Sequence, residues 1–339
     1  VEITTSAYAR IGFMGNPSDG YFGRTISCAI TNFAATVTLK PQSNVAVEPH
    51  PIHDPSEFES LYSLANTVSR NGYAGGVRLL ISACKKFHEY CGVNKIALHD
   101  RGFALSYDTT IPRQVGLAGS SAIITATIET LKQHYDVEVP RPKQPNLVLS
   151  VEEEELDIRA GLQDRVIQTY GGVVYMDFAK ELFDERGYGE YEPMDPLLMP
   201  GLFLAYLSHP SDSGKIHSDV RARWHEGDVE VINAMTGFAD FASEARKSLE
   251  AGDIDGVGGL MNANFDLRRR IFGDAVIGPS NLEMVEIARS LDAPAKFSGS
   301  GGAVVGMYRS DEQLSRLRGA YADRGYNLTI LCIDGAGGD

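Results

Sequence analysis

The stretch Ile111-Pro112-Arg113-Gln114-Val115-Gly116-Leu117-Ala118-Gly119-Ser120-Ser121 runs straight into Ala122, Ile123, Ile124, Ala126, Ile128 and Leu131, an apolar pattern at helical spacing. A small-residue loop at a helix start leaves backbone N–H groups without intrahelical partners, and the positive end of the helix dipole points at them. Proteins hold phosphate in this way. The loop is not the common lysine-bearing phosphate loop, because no lysine lies between Pro112 and Leu131. Ser120 and Ser121 offer hydroxyls for Mg²⁺ instead. Alone, the string would be an ordinary Ser/Gly cap on a buried helix; its companions along the chain argue for more.

The chain has 339 residues, 43% of them hydrophobic, enough to bury a full core and to form two domains. The stretch from Lys180 to Gly201, rich in Gly, Pro and charge, is the natural boundary and suggests domains 1–190 and 191–339. A formal charge of −14 disfavours capture of nucleic acid or of an anionic membrane. Cys28, Cys84, Cys91 and Cys332 have neither metal nor redox spacing and read as thiols of a reducing compartment. No run approaches the roughly 20 apolar residues of a membrane helix, so the expectation is a cytoplasmic protein. The first residue is Val1 rather than Met, which suggests a trimmed or truncated start.

Period-two patterning predicts strands over Ile3 to Met14 and Thr25 to Leu39, joined by a tight turn. Helices are expected at Pro55 to Asn71 and Gly76 to Cys91, then a strand pair spanning Ile96 to Tyr107. Beyond the loop come helices at Ser120 to Tyr135, Pro145 to Leu156 and Leu162 to Tyr170, and a strand at Val173 to Phe178. The C-terminal part reads as a strand at Leu202 to Leu207, helices between Ile216 and Leu291, a Gly turn at 299–302, and strands near Ala303 to Tyr308 and Asn327 to Ile333. Strands mixed with grouped helices point to an α+β architecture in two lobes.

Phosphoryl transfer needs an oxygen ligand for Mg²⁺ and a group to orient and deprotonate the acceptor. Glu153, within Glu152-Glu153-Glu154-Glu155, and Asp164, between Gly161 and the apolar Val166-Ile167, are candidates for these tasks. Four consecutive glutamates are also what a solvated helix face looks like. Near the N-terminus, Arg10 to Asp19 ends a strand in the polar turn Gly15-Asn16-Pro17-Ser18-Asp19, a place where Asp and Asn often meet sugar hydroxyls. Lys296-Phe297-Ser298-Gly299-Ser300-Gly301-Gly302-Ala303 forms a second glycine loop.

In this order and spacing, Arg10 to Asp19, Pro112 to Ala122 and Lys296 to Ala303 resemble the three motifs of the GHMP kinase superfamily. The resemblance covers most of the chain. The wording Gly15 to Asp19, Tyr21 to Ser27, Ala160 to Arg165 and Asn264 to Arg270 resembles the plant branch of that superfamily that phosphorylates D-glucuronate. The resemblance implies a ribosomal-protein-like N-terminal α/β lobe and a ferredoxin-like C-terminal lobe. It implies a kinase that uses ATP and Mg²⁺ to phosphorylate the anomeric hydroxyl of a sugar acid, with glucuronate 1-phosphate feeding UDP-glucuronate synthesis.

Carried over position by position, the resemblance makes Asp164 the base, Arg10 the cation beside it, Glu153 a magnesium ligand and Asp19 a sugar contact. Pro112, Gly116, Leu117, Ala118, Gly119, Ser120, Ser121 and Ala122 fall in the ATP loop, and Gly299, Ser300 and Gly301 in the third motif. Two departures matter. Counting the second motif from Gly116 makes Ser120 the metal ligand, whereas aligning its Ser-Ser-Ala end makes it Ser121; the first register is preferred. Asn16-Pro17 replaces the Glu-His of galactokinase-like members, so their sugar contacts do not carry over directly to Asn16. A uronic acid also requires a cation for its carboxylate, and Arg24, Arg165 and the trio Arg268, Arg269 and Arg270 are the candidates. Alternatives are the same fold acting on galactose, fucose, arabinose or a heptose, and an idle ATP and sugar sensor that regulates a partner.

Overall fold

The computed structural model describes residues 1–71, 75–207 and 219–336. It divides into two compact units that interleave along the chain: 1–9, 33–111 and 118–169 form the first, and 10–32, 112–117 and 170–339 the second. Strands β1 (Ile3–Met14) and β2 (Arg24–Pro41) contribute residues to both. Their alternating β-branched residues hold them extended and paired.

In the first unit, the later part of β2 pairs antiparallel with β4 (Phe103–Thr109), and β3 (Val45–Val47) runs parallel to β4. Cross-strand hydroxyl pairs Thr4–Thr38 and Ser6–Thr36 fix the register of β1 on β2. Between β3 and β4 lie α1 (Leu61–Asn71) and α2 (Gly76–Val93). Then come α3 (Gly119–Tyr135), α4 (Gln144–Ser150) and α5 (Leu162–Tyr170). Helix α3 is buried from Ser121 to Ile128 without a polar face, as a helix at the centre of a core must be. Thr127 and Thr130 tolerate this because their hydroxyls donate to the carbonyls of Ile123 and Ala126 four residues back. Helices α2 and α4 pack on α3. The strand expected around Ile96 is loop, and the expected helix from Pro145 to Leu156 stops at Ser150, where a π-helical turn over Val151–Glu155 replaces it.

In the second unit, Arg24 to Cys28 of β2 pair antiparallel with β5 (Val173–Asp177). Helix α6 (Lys180–Arg186) follows, and β6 (Glu190–Met194) extends this sheet. The expected boundary stretch therefore contains a helix and a strand. The remaining elements are β7 (Leu202–Leu207), α7 (Val220–His225), α8 (Val229–Glu250), α9 (Ile254–Ile277), α10 (Pro279–Ser290), β8 (Ala295–Phe297), β9 (Ala303–Met307), α11 (Asp311–Ala322) and β10 (Tyr326–Ile330). A four-stranded antiparallel sheet in the order β10-β7-β9-β8 carries α9 and α10. Phe203, Phe265, Phe297, Met284 and Tyr321 fill the layer between them. Ile216, the start of the expected helical region, lies outside the described residues.

Candidate active site

The loop expected to grip phosphate is built from left-handed residues. Gln114, Gly116 and Ala118 have φ of 59°, 69° and 62°, and alternation of this kind turns successive N–H groups toward one concavity. Ala118 precedes α3 and no side chain caps the helix, so its first N–H groups stay available for a ligand. Gly116 cannot be replaced easily, since a Cβ there would stand 2.7 Å from the Gly301 carbonyl. Gly299 is similarly constrained, with a would-be Cβ 2.5 Å from the Gly116 carbonyl. The two glycine loops, 112–117 and 299–302, therefore meet backbone to backbone inside the second unit.

Arg10 ties them together. It is buried, and its Nη1 donates to the carbonyls of Gly116 at 2.7 Å and Ser298 at 3.3 Å. Its own backbone N–H donates to Leu117.

The structure separates the two serines at the start of α3. Ser121 is buried and its hydroxyl donates back to the Ala118 carbonyl at 3.1 Å. The Ser120 hydroxyl donates to Glu152 Oε1 at 2.7 Å. Glu152 is fully buried, and its other oxygen is held by Arg165, from Nε at 2.8 Å and from Nη2. Arg165 Nη1 also donates to Gly161 and lies 3.4 Å from Asp164 Oδ2. Ser120, Glu152, Arg165 and Asp164 thus form one connected group within the first unit. Glu153, expected as the metal ligand, is exposed instead. The residue that faces Ser120 is its neighbour Glu152, on the π-helical turn Val151–Glu155, while Glu153 points to solvent. Lys85 and Lys86 of α2 brace this turn from outside through Glu155 and Glu154.

In the second unit, Asp19 sits half-buried on the short helical turn Ser18–Tyr21. Asn16, expected as a sugar contact, is buried, and its side chain turns inward to accept from Lys296 Nζ at 2.5 Å. Of the arginines considered for a carboxylate, Arg24 pairs with Asp240 at the surface, Arg165 is committed to Glu152, Arg269 pairs with Asp274, and Arg270 is exposed. Arg268 differs from these. It is buried, donates from Nη1 to the Gly299 carbonyl at 2.9 Å, and lies 5.0 Å from the Phe297 ring centroid. No carboxylate bonds it among the described residues. Burial lowers its pKa to about 10, while Asp19 and Tyr21 act in the opposite direction.

The family description "GHMP kinases N terminal domain" matches residues 78–172, and "GHMP kinases C terminal" matches residues 245–327. The chain is 54% identical over 301 residues to glucuronokinase 1 of Arabidopsis thaliana, spanning 88% of this chain and 83% of that protein. This chain is a GHMP kinase. Probable glucuronokinase 2 of Arabidopsis thaliana is 53% identical over 302 residues, covering 88% and 82% of the two chains. Among solved structures, the fold is shared with Methanococcus jannaschii mevalonate kinase at a TM-score of 0.70 and 17% identity over 98% of each chain. It is shared with Lactococcus lactis galactokinase complexed with galactose at a TM-score of 0.73 and 15% identity, over 98% of this chain and 94% of that one.

The expected two-lobed α+β kinase fold is borne out by these matches. ATP is the phosphoryl donor of the family. No helix among the described residues is long and apolar enough to cross a membrane. Glu152, Lys296 and Asn264 stood in the sequence only inside longer stretches and had no separate role assigned there. Asn264 was within reach, since it stands four positions before Arg268 on α9 and so shares its helix face.

Proposed function

We propose that this kinase transfers the γ-phosphoryl group of ATP to the anomeric hydroxyl of D-glucuronate, giving glucuronate 1-phosphate for UDP-glucuronate synthesis. The observation that carries the substrate is the 54% identity to glucuronokinase 1 over 88% of the chain. The geometry supports an acid substrate at Arg268, a buried guanidinium whose hydrogen bond goes to a carbonyl rather than a carboxylate. The reading takes 1–190 and 191–339 as the catalytic domains, one family match falling within each.

Residues Pro112 to Ala122 receive the ATP phosphates on backbone N–H groups. A divalent ion fits Ser120 and Glu152, two oxygen donors already side by side, because Mg²⁺ prefers a few protein oxygens and completes its shell with water and phosphate. Among the described residues no cluster of three or more His, Cys, Asp or Glu would hold a metal without such help. When bound there, Mg²⁺ supplies neutralisation of charge on the β- and γ-phosphates. Asp164 accepts the proton of the anomeric hydroxyl as that oxygen attacks phosphorus in line and ADP leaves. Arg10, fixed by Gly116 and Ser298, contributes a positive charge that need not reorganise during the reaction. Asp19 and the loop at 299–301 meet the sugar, and Arg268 takes its carboxylate in a bidentate fork.

ADP release measured over a panel of glucuronate, galacturonate, glucose, galactose, fucose and arabinose tests the reading. Glucuronate is expected to be preferred over glucose by on the order of 10²-fold or more, since a site that desolvates a charge penalises a neutral partner. Arg268→Met should remove most of that preference. Equal turnover of galactose or fucose would leave only a sugar kinase of another specificity, and no turnover of any sugar would favour a regulator.

A further inference from the structure

Strand β8 buries a lysine at a place where a strand normally buries a hydrocarbon. Lys296 is 1% exposed, and its amine donates to the Gly12 carbonyl at 2.8 Å, Asn16 Oδ1 at 2.5 Å and the Phe297 carbonyl at 2.8 Å. No carboxylate bonds it among the described residues. Three acceptor oxygens use all three N–H bonds of an ammonium, so the group is fully satisfied without a counter-ion. Burial, with the guanidiniums of Arg268 and Arg10 nearby, still pushes its pKa well below that of an ordinary lysine. The three acceptors hold the amine in place without a counter-ion.

What it fixes is the end of β1. Asn16 is held twice, by Lys296 at its side chain and by Asn264 Nδ2 at its carbonyl, 3.3 Å away. The Gly15 N–H donates to Asn264 Oδ1 at 2.9 Å, and the Gly12 N–H donates to the Ser298 carbonyl at 2.8 Å. The pinned residues lead directly into Ser18–Tyr21, the turn that presents Asp19. We propose that Lys296 is a positioning residue for the sugar, its buried ammonium acting through Asn16 to hold the turn that carries Asp19. The proposal rests on the sugar-kinase reading above.

A double-mutant cycle between Lys296→Met and Asn16→Leu, read as KM for glucuronate, KM for ATP and turnover per folded protein, tests it. Each single change is expected to raise the glucuronate KM by about tenfold while the ATP KM stays within twofold. The double variant should resemble the worse single variant, because both break one link. Multiplying effects would mean that Asn16 and Lys296 act separately and would overturn the proposal. So would a lowered melting temperature with an unchanged glucuronate KM, the result a purely structural lysine predicts. Should Lys296→Met fail to fold, Asn16→Leu alone decides, since it leaves the amine two of its three acceptors. Wild-type protein inert toward every sugar would end the underlying reading, whereas active wild type with native KM values in both variants would end this proposal alone.

Discussion

The two units bury charge in opposite ways. In the first, the Glu152 carboxylate lies against the Arg165 guanidinium, both almost wholly out of water, and the pair is neutral as a whole. In the second, Lys296 and Arg268 are buried against carbonyl oxygens and aromatic rings, without a bonded carboxylate among the described residues. A buried pair contributes little net stability, because desolvation offsets the attraction, but it fixes geometry sharply. A buried cation satisfied only by neutral oxygens leaves net positive potential in its surroundings, which favours an anion when one arrives. The first arrangement holds its groups still; in the second, Lys296 is likewise held by three acceptors, whereas Arg268 bonds a single carbonyl.

The largest effect expected is on rate within the paired region. Asp164 is half-buried and its Oδ2 lies 3.4 Å from Arg165, so Asp164→Asn keeps size and packing while removing the proton acceptor. Turnover should fall by about 10² to 10⁴, the usual contribution of a positioned general base, with ATP binding and melting temperature little changed. A folded Asp164→Asn protein with near-native turnover would remove Asp164 from the chemistry.

Stability should then divide the two regions. Arg165→Met strands the fully buried Glu152 and is expected to cost about 3–5 kcal/mol in urea unfolding, whereas Glu152→Leu combined with Arg165→Met should recover most of that loss. Turnover should not return, because Ser120 has lost its carboxylate neighbour. Lys296→Met is expected to cost less, about 1–3 kcal/mol, because the oxygens it leaves unpaired are neutral and a desolvated charge disappears with it. Equal costs at the two sites would erase the distinction between paired and unpaired burial.

The long strands and α3 were legible in sequence because each has a period and enough length to declare it. Some short pieces were not: β3 and β8 span 3 residues each, too few to show alternation, and β6 lies inside a stretch rich in Gly, Pro and charge. Among the candidate site residues, the glycine loop before α3 and Asp164 stood out by local chemistry. That Glu152 rather than Glu153 faces Ser120 did not, since four consecutive glutamates read alike in sequence. Asn16 looked like a sugar contact because nothing near it in sequence shows that a lysine 280 positions away would claim its side chain. Pairing across that separation is a property of the fold, and a strand three residues long gives no warning of it.

The smallest effect expected concerns pH and isolates the unpaired cation. The folded pKa of Lys296 lies well below the ordinary 10.5, so between those two values the unfolded chain binds a proton that the folded chain does not. Stability from this group therefore rises with pH across that alkaline window and is least favourable below it, where both states are protonated. Cys28 works against the trend: burial pushes its thiol pKa up, so the unfolded chain loses that proton first and stability falls as pH rises. Because wild type and Lys296→Met both keep Cys28, its contribution largely cancels in their difference. Urea midpoints measured from neutral pH to about pH 9, short of the value of about 10 to which burial lowers Arg268, should show wild type gaining on the variant as pH rises. Parallel curves would mean that Lys296 titrates like a lysine in water, and that the second unit balances its buried charge as closely as the first.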